Sequence, residues 1–189
     1  MEDPGSPTVA LVSALMMSQA DLRDRVAAYL ASHHTMTVAT LGPRETAGAA
    51  PGAGDLSYEG DLPHAATVFY AMDASLRLVF LSKPSSLHGL HILRVGAVAA
   101  TVTEDYGNWE LIQGVQLWGE ARFLTGAARA KAMALYLARF PFVREMLKQR
   151  RLAELITGIG VYQIVPHRLA FTDNTTGVFG REVLELEGN

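Results

Sequence analysis

The sequence predicts a mainly β protein with inserted helices, an α+β fold in which about six antiparallel strands form a small closed barrel. Segments rich in β-branched and aromatic residues recur along the chain, and short polar turns join several of them, which is typical of antiparallel pairing. Segments of helical periodicity lie between the strands, and this order favours a barrel over an open parallel sheet. The predicted strands span 35–41, 64–72, 76–82, 97–103, 109–124 and 161–172.

The composition is that of an ordinary globular chain, and it excludes several classes of function. The 189 residues are 49% hydrophobic and 19% charged, and this length suits one domain. With 16 basic and 19 acidic residues and a pI near 6.1, the chain offers no electrostatic case for a nucleic-acid partner. The absence of cysteine excludes disulfides, thiolate nucleophiles, iron–sulfur clusters and cysteine-ligated zinc.

The first 20 residues are predicted to be an N-terminal extension of a domain that covers 21–189. The apolar run at 8–17 follows acidic residues, so it lacks the basic region of a secretory signal. It is also too short to cross a bilayer, which takes about 20 residues. We therefore expect a cytoplasmic protein without membrane contact, whose first helix covers 21–32.

Three further features complete the predicted organisation. Residues 43–63 are rich in Gly, Ala and Pro without any period, which indicates a surface loop insertion outside the core. The last strand is expected to be broken at Pro166, and residues 171–189 to form a polar tail. Helical periodicity predicts further helices at 87–94, 126–140 and 143–156.

The turn from Ser82 to His88 is the segment most informative about function. It joins a predicted strand to a predicted helix, and the N-terminus of a helix offers unpaired backbone N–H groups that suit a phosphate. Ser82, Ser85 and Ser86, together with Lys83 and His88, add directed donors. The alternative is that Ser85 or Ser86 only caps the helix.

Histidines elsewhere give no case for a metal site. His33 and His34 are adjacent on an extended segment, so they point to opposite sides and do not chelate one ion. His88 and His91 share a helix face, but neither cysteine nor a nearby carboxylate accompanies them. The sequence also lacks the dinucleotide-binding glycine motif, the P-loop and the nucleophile elbow.

Several stretches, taken in order, resemble the FMN-binding split barrels related to pyridoxamine 5′-phosphate oxidase. They are the strand HAATVFYA, the strand–turn–helix LVFLSKPSSLHGLHIL and the strand LIQGVQLWGEARFL. The nearest branch has a histidine in the phosphate turn, a G-V-Q strand, an F-P helix break and a C-terminal F-T-D-N-T…G-F-G. Here these are His88, Gly114–Gln116, Phe140-Pro141 and Phe171–Gly180, and the resemblance covers roughly 29–184.

This resemblance implies a split-barrel homodimer with FMN in a cleft between subunits and no metal. Ala65–Val68 would run beside the isoalloxazine ring, and the turn would hold the phosphate. His88 would make that binding pH-sensitive, because histidine titrates near neutrality. The residues implied to bind the cofactor are Ala65, Ala66, Thr67, Val68, Ser82, Lys83, Ser85, Ser86, His88, Gln113, Gln116, Asn174 and Phe179.

Two details of this set are specific expectations. Gln113 and Gln116 lie three residues apart on a strand, so they face opposite sides and only one reaches the ring. The tail from Asp173 to Arg181 would close over the site, contributed by the same chain or by its partner.

The expected function is that of an FMN-dependent oxidoreductase acting on an unidentified small molecule. Tyr70 is the candidate for a substrate-contacting or catalytic residue, and it stands where a true pyridoxamine 5′-phosphate oxidase would have a basic side chain, which argues against vitamin-B6 oxidation. The alternatives are a non-catalytic flavin module and a haem-binding module, for which His91 or His167 could supply a ligand.

Overall fold

The computed structural model describes residues 7–43, 61–149, 158–176 and 180–186. Its elements follow the predicted order, with one short 3-10 turn at Trp109–Leu111. The helices are α1 (Pro7–Ser32), α2 (Leu87–Arg94), α3 (Gly126–Arg139) and α4 (Pro141–Lys148). The strands are β1 (Thr35–Gly42), β2 (Leu62–Met72), β3 (Leu78–Ser82), β4 (Ala97–Thr103), β5 (Gln113–Phe123), β6 (Gly160–Asp173) and β7 (Arg181–Glu185).

Six of these strands form a closed antiparallel barrel, which confirms the predicted fold class. They are ordered β3-β2-β1-β4-β5-β6, and β3 pairs back onto β6 to close the ring. The seventh strand, β7, pairs with β6 outside the ring. Closure leaves the barrel interior as the core, because alternate residues of every strand point inward.

Helix α1 packs on this barrel through an apolar stripe. Leu22, Val26 and Leu30 recur at helical spacing and are at most 2% exposed, packed into the barrel core. Burying each of them stabilises the fold by roughly 1.5–3 kcal/mol. The helix is longer than predicted: it begins at Pro7 instead of near Asp21, because the apolar run continues the same helix.

Strand β6 runs unbroken through Pro166, so the predicted break is wrong. The pairing register of β5 against β6 shifts between Trp118 and Gly119, and Gly119 lies opposite Pro166. A proline has no N–H to donate to a ladder, and a bulge removes the demand for one. A Cβ at Gly119 would lie only 2.7 Å from the Cα of Pro166, so the close approach requires glycine.

Other boundaries also differ from the predictions. The predicted polar tail contains a strand that was not predicted, β7, from Arg181 onward. Leu62 and Pro63, predicted to be loop, belong to β2, while 44–60 lie outside the described residues. Helix α4 ends at Lys148, and 150–157 also lie outside them. No helix in the described ranges is both long enough and apolar enough to span a membrane.

Candidate functional site

The turn between β3 and α2 is shaped by its serines and its proline. Strand β3 ends at Ser82, Pro84 follows, and Ser86 caps α2. The Ser86 hydroxyl accepts a hydrogen bond from the Gly89 backbone N–H at 3.2 Å and donates one to the Lys83 carbonyl oxygen at 2.7 Å. The capping interpretation is therefore confirmed for Ser86.

The same turn gathers two hydroxyls and an imidazole. The Oγ of Ser82 lies 2.6 Å from Nε2 of His88 and 3.2 Å from Oγ of Ser86, and Ser86 Oγ lies 3.1 Å from that nitrogen. The side chains of Lys83 and Ser85 are exposed on the rim of the turn. We call Ser82, Ser86 and His88 the phosphate turn.

Counting donors and acceptors assigns the protons of the phosphate turn. Ser86 uses its only hydroxyl hydrogen on the Lys83 carbonyl, so it accepts from Ser82. Ser82 then accepts from Nε2–H of His88. The other tautomer would place a hydrogen on Nδ1 of His88, which is buried without a hydrogen-bond partner in the described structure. Leaving a buried donor unpaired is costly, so His88 carries its proton on Nε2.

His88 is neutral at physiological pH. Burial, followed by the neighbouring charges of His64 and His91, lowers the pKa of His88 from 6.5 to about 4. The expectation that this residue titrates near neutrality is therefore wrong for the protein without a ligand. His88 acts at the turn as a neutral N–H donor.

Two more histidines pack around His88. The ring of His64, from β2, stacks on it with centroids 5.6 Å apart and planes 5° apart. The ring of His91 meets His64 edge-on at 6.3 Å, contacts Thr40 and packs where a Cβ of Gly42 would lie. Burial lowers the pKa of His91. Within the described ranges, these rings form no group that could hold a metal ion.

Beside the turn, strand β2 has an open edge. Strand β3 pairs with β2 only from Tyr70 to Met72, whereas all of β3 pairs with β6 on its other side. Among the described strands, Ala65–Val68 are therefore paired on one side only, with β1. Alternate residues of a strand direct their N–H and C=O groups to the same edge, so two of these four face the gap.

The outer face of the sheet next to this edge is a platform of small side chains. The register places Ala39 between Ala65 and Ala99, and Thr37 between Thr67 and Thr101. Gln116 and Trp118 on β5 form its far wall, with a cavity of about 270 Å³ over the platform. The Arg168 and Arg181 guanidinium groups both lie 5.9 Å from the Trp118 ring.

Within one chain, several predicted site residues lie far from the turn. Ser82 pairs with Gly160 at the start of β6, whereas Gln113 pairs with Asp173 at its end. A 14-residue strand at about 3.3 Å per residue covers roughly 40 Å along its path. Asn174 lies at the Gln113 end, donating its side-chain N–H to the Trp109 carbonyl.

The two glutamines face opposite sides of β5, as predicted. Gln116 is exposed on the platform side and accepts a hydrogen bond from Arg181 at 2.9 Å. Gln113 has the inward parity and interacts with the Asp173 carboxylate. Phe179 lies outside the described residues.

Tyr70 has the position of a core residue, not of a substrate contact. Its side chain is 1% exposed, and burial raises the pKa of its phenol. The haem-ligand candidate His91 is likewise a core residue, with 1% of its surface exposed. The other candidate, His167, is exposed on β6. His64 was missed because no local pattern links a residue on β2 to the turn after β3.

Comparison with known proteins gives curated relatives, although the chain matches no family model. YhbP of Escherichia coli O157:H7, a UPF0306 protein, is 33% identical over 132 residues, covering 69% of this chain and 81% of YhbP. A UPF0306 protein of Klebsiella pneumoniae is 33% identical over 119 residues, covering 62% of this chain and 73% of that protein.

Solved structures share the fold at low identity. The conserved hypothetical protein Rv2991 of Mycobacterium tuberculosis superposes with a TM-score of 0.60 at 17% identity, covering 88% of this chain and 92% of that one. A pyridoxamine 5′-phosphate oxidase candidate of Listeria innocua superposes with a TM-score of 0.51 at 15% identity, covering 79% of this chain and 97% of that one. The haem storage protein HutZ of Vibrio cholerae superposes with a TM-score of 0.53 at 11% identity, covering 76% of this chain and 88% of that one. The chain therefore has the split-barrel fold of pyridoxamine 5′-phosphate oxidase-like proteins, and it belongs to the UPF0306 family.

Proposed function

We propose that this protein is an FMN-binding flavoprotein, an oxidoreductase of the pyridoxamine 5′-phosphate oxidase-like type that acts on a small molecule. The observation that carries the proposal is the phosphate turn, in which Ser82, Ser86 and His88 converge at the start of α2 beside the open edge of β2. A fold alone does not fix a function, so the argument rests on this site.

The residues of the turn fit a phosphate monoester. The Ser82 hydroxyl and Nε2–H of His88 now bond within the turn, and an oxyanion would accept both hydrogens. The backbone N–H groups of Leu87 and His88, in the first turn of α2, have no acceptor within the helix. They point out of the N-terminal end of α2, where the phosphate turn lies. A phosphate group carries about −1.5 to −2 charges at pH 7, and hydrogen bonds to it are stronger than those to neutral acceptors.

The open edge of β2 fits the polar edge of a planar ring. Ala65 and Thr67 present small outward side chains, so a ring can approach the backbone there closely. The free N–H and C=O groups of this edge would hold and orient the ring. FMN, when bound, supplies the electron transfer, and the protein supplies its binding, orientation and electrostatics.

We also propose that the working unit is a homodimer. Gln113 and Asn174 lie at the opposite end of β6 from the phosphate turn, so only a second copy could bring them to the cofactor. The platform presents small alanine and threonine side chains, which suit close packing of another copy. The Asp173–Arg181 segment of one copy would then close over the site of the other.

The proposal is tested by purifying the protein without added cofactor, recording its visible absorbance and identifying any released ligand by mass spectrometry. We expect released FMN, and reduction of the bound flavin by NADH or NADPH. A protein that is colourless and does not take up added FMN would contradict the flavin proposal. Bound FMN without reduction by any donor would leave a flavin-storage role.

Haem binding is the second candidate, because the neighbouring fold includes the haem storage protein HutZ. Of the two ligand candidates, His167 on β6 is exposed, while His91 is buried. A red wild-type protein with a haem absorbance spectrum would favour haem over FMN if the spectrum is lost in His167→Ala.

A further inference from the structure

We propose that His64 is the cationic member of the phosphate site: it supplies the positive charge that neutral His88 lacks, so that binding of a phosphate monoester takes up a proton at His64. This inference rests on the proposed function, because it names the charge of the same site. The juxtaposition that carries it is the parallel stack of His64 on His88.

The geometry makes His64 the outer of the two rings. His88 is 8% exposed, whereas His64 is half-buried, so His64 lies toward the mouth of the site. Both ring nitrogens of His64 are without a hydrogen bond to any described residue, and its backbone carbonyl instead accepts from Thr40. The imidazole is therefore held by stacking, with its N–H groups available to a ligand.

His88 is poorly placed to carry the charge itself. Its Nε2–H already serves as a donor, so a second proton would go to Nδ1, which is buried without a partner in the described structure. Burial makes that protonation unfavourable and lowers the pKa of His88 to about 4. His91 is more deeply buried still, and burial lowers its pKa too.

The remaining groups around the stack do not replace His64. Lys83 is exposed on the rim of the turn, and the structure gives its ammonium group no contact with the stacked rings among the described residues. Asp61, just before β2, acts on His91 and opposes the effect of burial there. Tyr162 of β6 is fully buried and burial raises the pKa of its phenol, so it stays neutral, as does Thr40 of β1.

The sign of the pH dependence follows from linkage. A dianion beside His64 favours the imidazolium form, so binding takes up a proton wherever the free imidazole is neutral. Affinity then falls as pH rises, by at most about tenfold per pH unit for one proton. Below about pH 6 the phosphate itself takes up a proton and loses charge, so the affinity passes through a maximum.

The test compares FMN and riboflavin binding from about pH 6 to pH 9 in the intact 189-residue chain, because an ordinary histidine loses its charge as pH rises across this range. The variants are His64→Phe, which keeps an aromatic ring, His64→Lys, which makes the charge constant, and His34→Phe as a control for loss of an exposed histidine. Proton uptake is measured by calorimetry in two buffers that differ in ionisation enthalpy. Thermal melts confirm that each variant folds.

We expect His64→Phe to weaken FMN binding about tenfold or more near pH 6, the loss of one hydrogen bond to a charged group, with little effect near pH 9. The pH dependence and the proton uptake should disappear in this variant. His64→Lys should bind FMN tightly without pH dependence, His34→Phe should match the wild type, and riboflavin should show no pH dependence.

Failure of the inference and of the proposed function are distinguishable. If the wild type binds FMN but His64→Phe keeps its pH dependence and proton uptake, His64 is not the cation, and the flavin proposal stands. If the wild type does not bind FMN, inorganic phosphate is titrated while the histidine ring signals are followed by NMR. Protonation of His64 on adding phosphate would support the inference without FMN, and its absence would overturn both.

Discussion

The hydroxyl of Tyr70 donates a hydrogen bond of 2.6 Å to the backbone carbonyl of Leu30, and thereby ties β2 to the end of α1. Both residues are buried, at 1% and 0% exposure. The carbonyl belongs to the last turn of a helix, where backbone oxygens have no intrahelical partner. The phenol thus satisfies a buried acceptor in the core.

Tyr70→Phe should therefore lower stability and leave ligand binding unchanged. Removing the hydroxyl leaves the Leu30 carbonyl unpaired, at a cost of about 1–3 kcal/mol. Urea denaturation measures the change, and FMN titration checks binding. Tyr106→Phe, which removes a longer and more exposed contact of 3.4 Å, is the matched control and should cost less. A large loss of FMN affinity in folded Tyr70→Phe would return this residue to the site.

The two serines of the phosphate turn and the neighbouring Ser85 should separate by role. Ser82→Ala should weaken FMN binding by about 10–100-fold, the loss of one hydrogen bond to a charged group, with little change in stability. Ser86→Ala should lose affinity and also about 1 kcal/mol of stability, because Ser86 caps α2. Ser85 is exposed, so Ser85→Ala should change neither. Equal losses at all three positions would contradict a site defined by side-chain geometry.

Acid should destabilise the protein through His88. Its pKa is 6.5 as an ordinary histidine and about 4 in the fold, so the unfolded chain binds more protons between these values. Stability from this residue is complete above about pH 6.5 and is lost as pH falls, by at most about 1.4 kcal/mol per pH unit. The measurement is urea denaturation of the ligand-free protein at several pH values. His88→Gln should reduce the slope, and His167→Gln, which alters an exposed ring, should not.

The bulge at Gly119 should tolerate no side chain. A Cβ there would meet the Val165 carbonyl and lie 2.7 Å from the Cα of Pro166, and backbone cannot move aside easily. We expect Gly119→Ala to lower the free energy of unfolding by about 1–3 kcal/mol, the usual cost of overpacking. A Cβ at Gly107 meets nothing within 4 Å, so Gly107→Ala is the control and should have little effect. A thermal melt of each variant measures the difference.

The platform should prove to be the subunit interface. Ala99→Arg places a charged side chain at its centre, between β1 and β5, and burying an unpaired charge is unfavourable. We expect this variant to sediment as a monomer and to bind FMN more weakly, whereas the wild type sediments as a dimer. Ala138→Arg on the exposed face of α3 is the control. A monomeric wild type that binds FMN tightly would contradict the shared cleft.

The local elements of the site were predictable because short-range chemistry specifies them. Ser82, Pro84 and Ser86 mark a strand end, a turn and a helix cap, whose signals lie within a few residues of one another. The opposite orientation of Gln113 and Gln116 followed from the two-residue period of a strand. These predictions depended on no contact between distant segments.

The errors share a physical cause, which is long-range pairing. Pro166 predicted a break, but the register shift opposite Trp118 and Gly119, two residues of a different strand, accommodates it. Tyr70 looked available because its partner, Leu30, is 40 residues away along the chain. The pKa of His88 could not be predicted because it depends on burial and on His64, which the fold brings from another strand.

The sequence by itself determined the alternating strands, the capped turn and its donors, because side-chain period, turn chemistry and capping act between near neighbours. Only the tertiary structure decided that β3 closes the barrel on β6, that β2 keeps an open edge and that His64 stacks on His88. Several strand pairings have similar local sequence patterns, and the burial of the whole core determines which of them the closed sheet adopts. The chemistry of the phosphate site therefore depends on donors that the sequence displays and on a charge that the fold positions.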